Sequence, residues 1–78
     1  MERAMILDHL ALAERHVREG EQHVSKQRAL VGELKRDGHD TATAIRLLKE
    51  FEEVQAMHMA DRARLLAELD QANTGSGC

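Results

Sequence analysis

Apolar side chains recur along the first half of the chain in alternating steps of four and three. The series is Ile6, Leu10, Ala13, Val17, Gly20, Val24, Gln27, Val31 and Leu34. Taking Leu10 as heptad position a, that position holds Leu10, Val17, Val24 and Val31, and position d holds Ile6, Ala13, Gly20, Gln27 and Leu34. A heptad sustained this long predicts one helix with a coiled-coil type of seam. The second half carries two overlapping stripes. One reads Ala44, Leu47, Phe51, Val54, His58, Leu65; the other reads Ile45, Leu48, Met59, Leu66, Leu69. So wide an apolar surface serves more than one neighbour. The first helix is one neighbour, and a second copy of the chain is the simplest other. Ile45, Leu48, Met59, Leu66 and Leu69 are therefore the expected self-association face.

The strong breaker cluster of the body is Asp37-Gly38-His39-Asp40-Thr41. Gly38 suits the left-handed position that closes a helix. Lys35 and Arg36 stand just before it, where cations favour the helix C-terminus. Asp40 or Thr41 can cap the next helix. There is no Pro, so nothing else interrupts the pattern. The expected organisation is a helical hairpin over 1–72, with a first helix at about 3–36, a turn at 37–40 and a second helix at about 41–71. Residues 73–78 form a flexible tail, and Thr74-Gly75-Ser76-Gly77-Cys78 reads equally as native sequence or as an appended scar. So short a connection makes the helices antiparallel neighbours.

An antiparallel fold about residue 39 opposes Leu34 to Ala44, Gln27 to Phe51, Gly20 to His58 and Ala13 to Leu65. Three of these four pairs then match a small residue with a larger one, as interdigitated cores require. This gives Gly20 a reason to sit inside a helix, where it costs about 1 kcal/mol relative to Ala. Nothing in the pattern explains Gly32, which falls on the outward side.

The chain has 78 residues, with 17 Val, Ile, Leu or Phe, and one copy hardly buries enough apolar surface to stand alone. The expected class is thus an all-α antiparallel two-helix hairpin with a heptad seam, dimerising into a four-helix bundle. Eleven basic and 14 acidic residues give a net charge of −3. Neither half is a basic patch, which argues against nucleic-acid binding and against anionic membranes. No apolar run is long enough to span a bilayer. The first residues lack the charged and apolar regions of a signal peptide. One Cys cannot form an internal disulfide. A cytoplasmic location is the expectation.

Five histidines are the chemistry to weigh. His9, His16 and His23 recur at heptad position g, and His58 falls between the levels of His16 and His23. Imidazoles are good ligands for transition ions. Residues seven apart on one helix lie about 10 Å apart, so a site needs partners from both helices. His16, His23 and His58 are the candidate metal ligands. No carboxylate stands three residues before any of them, so the di-iron bundle pattern is absent. The plainer reading has the g-position histidines flanking the core and His58 fixing register. A third reading is pH sensing by clustered imidazoles. No phosphate loop and no nucleophile set is present, so the chain is read as non-enzymatic and without a cofactor.

The strings His9-Leu10-Ala11-Leu12-Ala13-Glu14-Arg15-His16-Val17, Leu34-Lys35-Arg36-Asp37-Gly38-His39-Asp40-Thr41 and Phe51-Glu52-Glu53-Val54-Gln55-Ala56-Met57-His58 resemble a group of small uncharacterised helical proteins of rhizobia and related alphaproteobacteria. The resemblance covers about residues 5–70. It implies a bacterial protein and carries over no catalytic or binding residues. In architecture alone the chain is also similar to the plasmid regulator Rop, a hairpin that dimerises and binds RNA; fold does not imply function. The leading expectation is an interaction or scaffold module that works through its helix faces as a homodimer. A His-based metal-binding or pH-responsive protein and a Rop-like RNA-binding regulator stand beside it.

Overall fold

The computed structural model describes residues 2–75. Two helices of equal length make up nearly all of them: α1 spans Arg3–Arg36 and α2 spans Ala42–Gly75. They pack against each other as a rod 63 Å long and 14 by 13 Å across. The radius of gyration is 17.7 Å, whereas a compact domain of this length would have about 11.5 Å.

The turn is built by local backbone chemistry. Gly38 has φ +74°, the left-handed conformation that favours glycine. Its N–H donates to the Lys35 carbonyl at 3.3 Å, and the His39 N–H donates to Leu34 at 2.9 Å. These two bonds form a Schellman closure and satisfy carbonyls that the end of α1 leaves open. Asp40 Oδ1 then accepts the Ala42 N–H at 2.9 Å, which caps the first turn of α2.

At the other end α2 runs to Gly75, past the stop expected at about residue 71. Thr74 Oγ1 donates back to the Asp70 carbonyl at 2.8 Å and holds the last turn. Arg3 Nε donates to Asn73 Oδ1 at 2.9 Å and ties the two helix ends together. Residues 73–75 are thus helix rather than tail. Ser76, Gly77 and Cys78 lie outside the described residues.

The seam of α1 is the heptad read from the sequence. Ile6, Leu10, Ala13, Val17, Val24 and Gln27 are buried, and Gly20, Val31 and Leu34 are half-buried. Leu10, Ala13 and Leu65 form the core cluster, with Leu69 packed on it. On α2 the covered row is Ala44, Leu48, Phe51, Gln55, His58, Arg62, Leu65, Leu69 and Ala72. This row cuts across both expected stripes. Leu47 and Val54, expected toward α1, are exposed. Leu48 and Leu69, expected on the outer face, belong to the seam. The reason is polar: Gln55 and Arg62 occupy seam positions that a hydropathy stripe passes over. Of the expected self-association face, Ile45, Met59 and Leu66 remain exposed.

The pairing keeps the expected register at Ala13 and Gly20. Ala13 packs with Leu65, and a Cβ placed on Gly20 would stand 3.5 Å from His58 Cδ2. Nearer the turn the pairing shifts: Gln27 reaches Ala44, and Phe51 faces His23 rather than Gln27. The same Gly20 Cβ would collide with the end of the Gln55 side chain. Glycine therefore lets the Gln55 amide lie close over α1 here.

This geometry separates two substitutions. Gly20→Ala displaces only the tip of Gln55, and its better helix propensity, about 1 kcal/mol, offsets the strained hydrogen bond. Its melting temperature should stay close to that of the parent. Gly20→Leu drives a branched side chain into Gln55 and His58 and should cost roughly 1–3 kcal/mol. A melt for Gly20→Leu that is unchanged or higher would show that this face of α1 is open.

Candidate functional site

Two glutamines cross the seam in opposite directions. Gln27 Nε2 on α1 donates to the Ala44 carbonyl of α2 at 2.9 Å. Gln55 Nε2 on α2 donates to the Val17 carbonyl of α1 at 2.9 Å. Each of these carbonyls serves its own helix with one lone pair and has a second to offer. A slip along the seam would break both bonds, so the pair favours this register. Gln55 Oε1, packed over Gly20, is buried with no hydrogen-bond donor among the described residues.

The histidines divide between two neighbours. His16 and His58 meet across the seam with ring centroids 5.0 Å apart and planes tilted by 42°. His23 instead faces Phe51, with centroids 5.8 Å apart and planes tilted by 43°. His16 and His58 are half-buried, whereas His23 and His9 are exposed. The expected triad of His16, His23 and His58 is therefore brought together only as the pair His16–His58. Among the described residues no group of three His, Cys, Asp or Glu is placed to hold one ion. The sequence signal that separates them is Phe51, which stands opposite His23 and claims its ring.

Two shallow grooves flank the pair on the histidine edge. One is lined by His9, Leu12, His16, His58, Asp61 and Arg64. The other is lined by His16, Glu19, Gly20, His23, Val54 and His58. Arg15 Nε donates to Glu19 Oε1 at 2.9 Å. That hydrogen bond holds the Glu19 carboxyl below its ordinary range. The shift goes with stability that is present above the usual carboxylate range and lost as pH falls through the lowered pKa. Both partners are exposed, which keeps this contribution small. Asp61 lies 3.7 Å from the Arg64 guanidinium. On the opposite edge Arg28 and Glu52 form an exposed cross-helix ion pair at 3.1 Å.

No helix among the described residues is long and apolar enough to cross a membrane. No family model, curated protein or solved structure matches the chain.

The glutamine pair should act on uniqueness more than on stability. Replacing Gln27 and Gln55 together by Leu removes a buried orphan oxygen and adds apolar contact, so the melting temperature should hold or rise. The double variant should lose its single register, seen as a weakened NMR contact between the His16 and His58 rings. A fall of more than about 1 kcal/mol would show that the two bonds carry net stability.

Proposed function

We propose that this chain is a non-enzymatic helix-face interaction module that pairs with a second copy of itself to make a four-helix bundle. One quantity supports the reading above others. The hairpin exposes 5851 Å², whereas a compact monomer of its mass exposes about 4,800 Å². The excess, roughly 1,000 Å², matches the roughly 800 Å² that one partner contributes to a standard interface.

The side chains suited to such an interface lie along the edges of the seam. Ile45, Met59 and Leu66 recur at multiples of seven on one edge of α2, with only Glu52 interrupting the row. Leu7 of α1 shares that edge by heptad phase, and all four apolar residues are exposed. Glu52 is held by Arg28, which lowers the cost of covering its charge. A row of this kind, laid against its own copy, completes the two-layer helical packing that a single hairpin leaves half-built.

Sedimentation equilibrium should give twice the 8.8 kDa chain mass. Met59→Glu should shift the protein to monomer and lower its melting temperature, because two buried carboxylates would face each other across the interface. A parent protein that is monomeric and fully helical at about 100 μM would overturn the proposal.

A further inference from the structure

The His16–His58 pair has a ring separation that a shared metal ion can span. An ion bound at 2.0–2.1 Å to one nitrogen of each ring, with an angle of about 90–110° between the bonds, holds the two centroids about 4.5–5.2 Å apart. The observed separation is 5.0 Å. The rings are tilted by 42° rather than stacked, so neither covers the other's face.

The pair is also positioned by the fold. Both rings are half-buried, one from each helix. Gly20 stands beside the pair: a Cβ there would lie 3.5 Å from His58 Cδ2, in ordinary contact. The two helices repeat one local arrangement, with a carboxylate three residues after each histidine: His16 with Glu19, and His58 with Asp61. On a helix that spacing puts the two side chains on one face. Glu19 and Asp61 line the grooves on either side of the ring pair. Each has an arginine neighbour, Arg15 or Arg64. These arginines balance the two carboxylates, so the imidazoles alone supply the donor atoms.

We propose that His16 and His58 form a cross-helix clamp for one divalent transition ion, with zinc as the first choice and water in the remaining positions. Two imidazole nitrogens select zinc, nickel or copper over magnesium or calcium, which require oxygen cages. The clamp ties α1 to α2 within one hairpin and does not rest on self-association. His23 is outside it, because its ring faces Phe51.

The test uses tag-free protein stripped with a chelator. Calorimetric titration with zinc chloride should give one ion per chain, and saturation should raise the melting temperature by at least about 5 °C. His16→Gln and His58→Gln should each weaken zinc binding by at least about tenfold, while His23→Gln and His9→Gln leave it unchanged. Magnesium chloride should give no heat and no shift. A second measurement needs no variant: trace copper(II) added to the parent protein should broaden the ring resonances of His16 and His58 before those of His9, His23 and His39. Absence of zinc uptake, uptake that survives both glutamine variants, equal loss in His23→Gln, or uniform broadening of all five histidines would each overturn the clamp. Sedimentation with and without zinc keeps this outcome separate from the oligomeric state.

Discussion

Two helices can bury only the strip along which they face each other, because each is a cylinder about 10 Å across with a single neighbour. That constraint governs the whole molecule. The protected surface is one seam, nine or so positions long on each helix, and every side chain off the seam meets water or another molecule. Within so thin a core each position matters. Ile6 and Leu65 are among the most deeply covered side chains, with 1% and 4% exposure. They lie near the open end, where Arg3 and Asn73 also join the helices. Toward the turn the seam thins to Val31, Leu34, Ala44 and Leu48, all half-buried. There the Schellman closure and the Gln27 bond compensate with backbone contacts.

The polar members of the seam provide specificity that apolar packing alone would not. An all-leucine strip would slide in steps of one heptad at little cost. Gln27 and Gln55 bond to backbone in opposite directions, and Gly20 admits one particular overhanging side chain. The ring contacts His16–His58 and His23–Phe51 add two further steps at heptad spacing along α1. Together these features give the hairpin one alignment, and any surface built from both helices inherits that precision.

The fold was legible wherever the signal was local or strictly periodic. The α1 heptad, the Gly38 turn and the cap at Asp40 follow from residue types at fixed offsets. The antiparallel register was nearly legible, because Ala13 and Gly20 are small in a row of larger residues. The phase of α2 was not. Apolar residues occupy both flanks of its seam, so hydropathy cannot decide whether Leu47 or Leu48 faces inward. The deciding residues are Gln55 and Arg62, which a hydropathy count places outside. Gln27, Gln55 and Arg62 do read as polar seam residues that specify register, and that reading, set above the hydropathy stripes, selects the correct row. The histidines were legible as a group but not as a pair. Heptad spacing puts His16 and His23 in equivalent places, and only the identity of the residue across the seam, His58 or Phe51, tells them apart.

The cross-helix bonds also rank themselves by the length of chain each must close. Gln27 and Ala44 are 17 residues apart, Arg28 and Glu52 are 24, Val17 and Gln55 are 38, and Arg3 and Asn73 are 70. Closing a free loop costs about 0.6 kcal/mol more for each doubling of its length. Once the Gln27 rung forms at the turn, however, each later rung adds only a short stretch of new chain. The Gly38 turn is therefore where ordering costs least, and the hairpin has the topology of a zipper whose slider starts there. The most deeply covered apolar side chains, Ile6 and Leu65, lie at the far end of the track. By loop closure alone, the deepest burial is the contact that gains most from the rungs already formed nearer the turn.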